Sequence, residues 1–247
     1  MNRRYTLYGT LTLSRFNLKR GFTSIYGLLY LAIGIFIPIL ITTSLLLTKA
    51  VSNSEPSVVT TTIGDLIPAF IPLSASIGGI GVSYLFSTDR SGGVYEYLIA
   101  TGKIRIGDIF LSFAMVSIIM VSVILAVDIS VIYTLIHFLA PFLQGTVYTV
   151  MAVFSVPVAY ISSLLSIIAM LTWASMSRVY PGVNAPGGIG SIIGIIPPLV
   201  FLLVIARIFH PSDIVEIAGI FSAVLFVLLI VILSVAIRRM SNERMLA

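Results

Sequence analysis

Ionisable side chains are scarce in this sequence, and many of them lie between residues 86 and 110. Charged residues make up 9% of the chain, against about 25% in an average soluble protein. Six of them fall in this one stretch, between long apolar runs: Asp89, Arg90, Glu96, Lys103, Arg105 and Asp108. Such a segment either docks onto another molecule or carries charge only because it is exposed to water.

The middle of this stretch, GGVYEYLIATG, is typical of a short amphipathic helix. Val94 and Leu98 share one stripe at i, i+4 spacing. Tyr95 and Ile99 lie beside that stripe, whereas Glu96 points elsewhere. Glycines on both sides mark the ends of the helix.

The residue pattern predicts no catalytic site. No nucleophile-elbow or metalloprotease motif occurs, and Gly102-Lys103 is not a phosphate-binding loop, because Ile104 follows it and the required upstream glycine is missing. Cysteine is absent, and His137 and His210 are too far apart in sequence to suggest a metal site. We expect neither an enzyme nor a bound cofactor. An intramembrane enzyme is only a minor alternative, because the sequence shows no acid, base and nucleophile that would converge on one site.

The composition predicts an all-α polytopic membrane protein. The chain of 247 residues is 58% hydrophobic, with a mean hydropathy of +1.13. Its charges separate six apolar runs, each long enough for a transmembrane helix. The runs lie between residues 20 and 49, 65 and 89, 108 and 128, 128 and 178, 178 and 207, and 216 and 238. We expect one transmembrane domain, 1–247, with an N-terminal segment, 1–22, and a loop, 87–108, between the second and third spans.

The end of the third span is ambiguous. Twenty residues from Asp108 to Asp128 make a helix of about 30 Å, which predicts that Asp128 reaches the opposite interface. The following ISVIYTLIHF then prolongs the helix or lies along the surface, before a turn near APFLQGT. Asp65 and Glu216 are also predicted near outer ends. The absence of carboxylates from the middle of the predicted spans argues against an ion-coupled carrier.

The distribution of lysine and arginine predicts the orientation. With six spans, 12 of the 14 basic residues fall on the side of the two termini, which predicts cytoplasmic termini, a cytoplasmic 87–108 loop and a multi-pass plasma-membrane protein. No signal peptide is expected. The net charge of +5 reflects this topology rather than nucleic-acid binding.

Small residues and prolines recur within the apolar runs. Gly190 and Gly194 form a G-x-x-x-G motif, which predicts close helix packing within the chain ahead of a dimer contact; composition alone is the alternative. The prolines of the spans bend helices that either line a pathway or fit their neighbours: Pro38, Pro68, Pro72, Pro157, Pro197 and Pro198.

The basic N-terminal segment has a less regular pattern. Leu7, Leu11 and Leu18 share a helical stripe, but Arg15 interrupts it. The segment is either an interfacial helix whose basic residues face lipid headgroups or an ordinary basic flank.

The charged stretch resembles the permease subunits of type-2 ABC exporters. Those chains have six spans and, between the second and third, a cytoplasmic coupling helix with the pattern acid-Arg-x-x-Gly-Thr-Leu-Glu-x-Leu-Leu-x-Thr-Pro. Six residues match this pattern: Asp89, Arg90, Gly93, Glu96, Leu98 and Thr101. Val94 and Gly102 replace its threonine and proline.

The resemblance implies two permeases, identical or paralogous, assembled with two ATP-binding-cassette ATPase subunits that hold ATP and Mg²⁺. The implied ATPase-coupling interface contains Asp89 together with two hypothesised groups. In this hypothesis, Val94, Leu98 and Ile99 fill a groove on the ATPase. Arg90 and Glu96 fix the orientation of the two proteins by charge pairing at the rim of the interface. The alternative is a small secondary carrier or a membrane assembly factor with no ATPase partner.

Overall fold

A computed structural model of the chain describes residues 3–47, 56–102, 104–176, 185–207 and 214–239. Within these ranges the regular elements are helical. They are α1 Arg3–Thr23, α2 Ile25–Leu47, α3 Pro56–Ser91, α4 Val94–Ala100, α5 Ile106–Leu139, α6 Gln144–Val150, α7 Val156–Met176, α8 Ala185–Arg207 and α9 Ile214–Arg239. A 3₁₀ turn, Pro141–Leu143, precedes α6, and a π-helical turn, Met151–Ser155, joins α6 to α7.

The chain is an all-α multi-pass membrane protein, as its composition predicts. Five segments of the described chain are long and apolar enough to cross a membrane: Ile25–Leu47, Leu66–Ser91, Ile106–Leu139, Pro141–Ala174 and Ile214–Arg238. A shorter apolar stretch, Ile189–Val204, lies within α8. Lys49, Lys103, Arg178 and His210 lie outside the described residues.

Helix α3 is central to the bundle. It packs against α2, α5, α7 and α8, and 72% of its apolar segment is buried. Only 22% of the corresponding segment of α9 and 28% of that of α2 is buried. These two peripheral helices therefore direct most of their apolar side chains outward, as lipid-facing helices do.

The third apolar run is one continuous helix. α5 has 34 residues and is about 51 Å long at 1.5 Å per residue. The stretch ISVIYTLIHF prolongs the helix, which is one of the two outcomes predicted from sequence. The predicted turn near APFLQGT is confirmed, because α5 ends at Leu139 and the backbone of Ala140 leaves the helical region.

Two prolines release backbone carbonyls that serines of other helices then bind. Proline cannot donate to the carbonyl four residues earlier. The carbonyl of Pro68, which residue 72 would normally bind, accepts a hydrogen bond from Ser155 Oγ at 2.6 Å. The carbonyl of Val153, released by Pro157, lies 3.0 Å from Ser222 Oγ, whose single proton is shared with the Ala218 carbonyl of its own helix at 2.8 Å. Because lipid supplies no donors, these bonds both satisfy the backbone and join helices.

Helix α1 buries a polar face against α5. Thr10 Oγ1 donates to Asp108 at 2.9 Å and Asn17 Nδ2 donates to Ser112 Oγ at 3.0 Å. Leu11, one of the three leucines that share a stripe in the sequence, is 51% exposed. The side chain of Leu7 lies outside the described part of the chain. The polar side chains turn inward because α5 offers them hydrogen-bonding partners.

Gly190 and Gly194 lie where α8 meets α7. A Cβ at Gly190 would be 2.8 Å from the carbonyl oxygen of Ser166, and one at Gly194 would be 2.9 Å from the Cβ of Ser166. Both distances are shorter than carbon contacts allow, so larger residues would force the helices apart. In this chain the motif makes an intramolecular contact.

Candidate functional site

The charged stretch contains the short helix that its sequence pattern predicts. α4 begins after Gly93, whose φ of +71° places it in the left-handed region that favours glycine. It ends at Ala100, and Gly102 has a φ of +69°. The two glycines therefore reverse the chain on either side of α4, so that the helix lies across the end of α3 and α5.

One face of α4 is built into the bundle. The Tyr95 ring is 1% exposed, stacks on Phe86 with 5.0 Å between ring centroids and meets the edge of Phe113. Ile99, one turn later, is 5% exposed. Ile99 thus faces the protein, contrary to the docking face expected from sequence. Leu98 is partly buried and packs against the same core.

A three-residue polar network fixes the buried face of α4. Arg20 Nη1 contacts Asp89 Oδ1 at 2.5 Å and Oδ2 at 2.6 Å, and the Tyr95 hydroxyl donates to Asp89 Oδ2 at 2.9 Å. Burial raises the pKa of Tyr95, and the adjacent Asp89 carboxylate raises it further. The phenol therefore stays protonated and keeps donating. The network joins α1, α3 and α4.

A second pair within the stretch joins α3 to α4. Arg90 Nε lies 3.2 Å from Glu96 Oε1, and the arginine is 4% exposed. The other carboxylate oxygen of Glu96 is buried and has no hydrogen-bond partner in the described part of the chain. The two side chains expected to meet charges of a partner thus pair with each other here.

The first turn of α5 contains Asp108, the third carboxylate of the charged stretch. Asp108 Oδ2 accepts from the Arg105 backbone N–H at 2.9 Å, and its Oδ1 accepts from Thr10. An acidic residue in the first turn also complements the helix dipole. The charge density of residues 86–110 therefore serves internal contacts as well as water exposure.

The outer face of α4, defined as Val94 and Tyr97, is exposed. Val94 is 43% exposed and Tyr97 is 71% exposed. The sequence pattern did not single out Tyr97, although its i, i+3 spacing from Val94 places both on one side of a helix. No sequence signal relates Arg20 to Asp89, because 69 residues separate them.

A carboxylate whose burial the sequence did not indicate lies inside the bundle. Asp128 is 0% exposed, and its predicted position at the outer interface, which is a membrane depth, stays a prediction. α5 continues to Leu139, eleven residues further, so about 16 Å of helix separates Asp128 from the helix end. Its Oδ2 lies 3.5 Å from Ser74 Oγ of α3, and its Oδ1 has no hydrogen-bond partner.

The described residues offer no metal centre, because they contain no group of three or more His, Asp or Glu side chains placed to hold an ion. Comparison with protein-family models, curated protein sequences and solved structures finds no match for the chain. Its function must therefore be argued from the two arrangements above, α4 with its polar network and the buried Asp128.

Proposed function

We propose that this chain is the permease subunit of an ABC exporter, moving a substrate outward with ATP hydrolysed by a separate ATP-binding-cassette subunit. α8 serves as the sixth span, beside the five longer apolar segments. Both termini and α4 then lie in the cytoplasm, at the plasma membrane. Two permease copies, or a copy and a paralogue, assemble with two ATPases that carry the ATP and Mg²⁺.

The two faces of α4 are the observation that supports this proposal. A segment that transmits force from a soluble motor must be anchored on one side and accessible on the other. Tyr95 and Ile99 supply the anchored side. Val94 and Tyr97 offer an aliphatic and an aromatic side chain to a partner, and such residues tend to dominate the energy of protein interfaces.

The polar network provides a route for the movement of α4. Tyr95 of α4 is hydrogen-bonded to Asp89 of α3, which is paired with Arg20 of α1. A displacement of α4 therefore pulls on the end of the central helix and on the helix that leads into α2. In this proposal Asp89 and Arg90 act as internal links rather than as direct contacts with the ATPase.

Copurification with a coexpressed ATP-binding-cassette ATPase subunit tests the proposal. Tyr97→Asp places a charge on the outer face of α4 without touching the buried face, and we expect it to reduce ATPase recovery at least tenfold. Thr88→Asp adds the same charge at an exposed position of α3 and serves as the matched control. Equal recovery with Tyr97→Asp and with wild type would contradict the proposal.

A second candidate is an ion-coupled secondary carrier that needs no ATPase. Asp128 favours it, because buried intramembrane carboxylates are a common feature of such carriers. A membrane assembly factor has no comparable support from a specific residue. Substrate movement in liposomes driven by an ion gradient, without nucleotide or ATPase, would favour the carrier over the exporter.

A further inference from the structure

Asp128 has an unusual environment for a carboxyl group. Its side chain lies in the interior between α5 and α3, and Ile124 and Ile132, one turn away on either side, are fully buried. The single polar contact is with Ser74 Oγ at 3.5 Å, near the upper limit for a hydrogen bond. Asp128 Oδ1 has no partner. A carboxylate anion normally has several donors around it when buried.

The serine that approaches Asp128 is a poor donor to it. A hydroxyl has one proton to give, and Ser74 Oγ lies closer to the carbonyl oxygen of Ile71, at 2.8 Å, than to Asp128 Oδ2, at 3.5 Å. An anion at Asp128 would therefore have at most one long hydrogen bond. A protonated carboxyl group has no charge to compensate and can itself donate to Ser74 Oγ. The surroundings thus suit the acid form better than the anion.

The charged side chains described on α1, α3 and α5 lie away from Asp128. Asp108, on the same helix, is 20 residues and about 30 Å distant. On α1 and α3 the described charged side chains belong to the same end as Asp108: Arg15, Lys19, Arg20, Asp89 and Arg90. None of these cations is an ion-pair partner of Asp128 in the described chain.

The other titratable groups described on the packed helices have partners of their own. Tyr160 of α7 shares a hydrogen bond with Ser122, and Tyr148 of α6 donates to the Tyr133 carbonyl. His137 of α5 is bonded to Gln144. On α2 and α3, Tyr26, Tyr30 and Tyr84 contact one another. None of these groups supplies a positive charge or a donor to Asp128.

We propose that Asp128 is a proton-binding site in the interior of the bundle, occupied by a proton while α3 and α5 are in contact. A larger ligand does not fit the observations. A water molecule or metal ion needs several polar partners, and Asp128 has only the Ser74 hydroxyl beside it. A proton needs no cavity and removes the charge. It can leave when α3 and α5 separate and water reaches the carboxyl group.

This inference concerns the chain alone and does not depend on an ATPase partner. A proton that is exchanged inside the bundle is the coupling ion that the second candidate function requires. In an ATP-driven permease, the same site makes opening between α3 and α5 sensitive to pH. The experiment is therefore made on the purified full-length chain, so that a failed copurification leaves it unaffected.

Infrared spectroscopy of the protein in a detergent without ester groups tests the proposal, because a protonated carboxylic acid has a carbonyl-stretch band that a carboxylate lacks and that lipid esters would mask. We expect this band at neutral pH in wild type and in Asp108→Asn, the matched control on the same helix. It should be missing in Asp128→Asn and shifted in Asp128→Glu. Circular dichroism and gel filtration check that each variant folds.

Three results would overturn the proposal. One is a neutral-pH spectrum of wild type without the acid band, which decides the question even if Asp128→Asn fails to fold. Another is the same band in wild type and folded Asp128→Asn, which would assign it to a different carboxyl group. The third is loss of the band when sodium chloride replaces choline chloride at constant pH, which would identify a sodium site.

Discussion

The end of the bundle around α4 and the interior around α3 are held together by different interactions. Around α4, two carboxylates receive matched donors: Asp89 has Arg20 and Tyr95, and Asp108 has Thr10 and the backbone of Arg105. In the interior, helices meet through small residues and through serines that donate to carbonyls released by proline. Charge is used where water can approach, and close packing where it cannot.

Asp128 is the interior residue that departs from this division. It is as deeply buried as the apolar side chains around it, yet it has none of the donors that surround Asp89. Two carboxyl groups of one protein thus have opposite surroundings, one suited to the anion and one to the acid. The difference points to a structural role for Asp89 and an exchangeable proton for Asp128.

The largest expected effect comes from removing the better-paired carboxylate. Asp89→Leu leaves the Arg20 guanidinium and the Tyr95 hydroxyl without their acceptor. Loss of one member of a buried ion pair costs about 3–5 kcal/mol, and we expect about 3 kcal/mol because Arg20 retains access to water. The free energy of unfolding in mixed micelles measures it.

Asp128→Asn is the matched comparison for that change. Its amide has the shape of the carboxylic acid and no charge to lose, so we expect a change of less than about 0.5 kcal/mol. If Asp89→Leu and Asp128→Asn lowered the free energy of unfolding by the same amount, the distinction between a paired anion at Asp89 and a neutral acid at Asp128 would be wrong.

A smaller effect is expected where α8 packs against α7. Gly194→Leu inserts a side chain where even a Cβ would lie 2.9 Å from the Cβ of Ser166, and overpacking of this kind costs about 1–3 kcal/mol. The control is Gly145→Leu, because a Cβ at Gly145 meets nothing within 4 Å. If the two variants unfold at the same denaturant concentration, close approach of α7 and α8 is not what Gly194 provides.

Sequence reasoning succeeded where a short-range pattern decided the outcome. The glycines around GGVYEYLIATG predicted the limits of α4, and the length and apolarity of the runs predicted an all-α membrane protein. The turn after α5 was also predicted from its local residues.

Sequence reasoning failed where the outcome depends on which distant residues meet. The burial of Asp128 was not predicted, because it depends on Ser74 and the other residues of α3 that pack against α5 at this level. The polar buried face of α1 was not predicted, because its partners on α5, Asp108 and Ser112, lie 98 and 95 residues away in sequence. In a membrane protein the apolar side chains of a helix can face outward, so apolarity alone does not identify the buried face.

A loss smaller than that of Gly194→Leu is expected from a change that tests how the interior satisfies its backbone. Ser155→Ala removes the donor to the Pro68 carbonyl, and a single hydrogen bond between membrane helices is worth about 0.6–1 kcal/mol. Pro72→Ala restores a backbone N–H that can bind that carbonyl within α3. The loss caused by Ser155→Ala should therefore shrink toward zero in the Pro72→Ala background, which a double-mutant cycle of unfolding free energies measures. Ser130→Ala, at an exposed serine that bonds only within its own helix, controls for helix propensity. If Ser155→Ala costs the same in both backgrounds, the serine stabilises the bundle by some other contact, and proline is not the reason that the interior needs it.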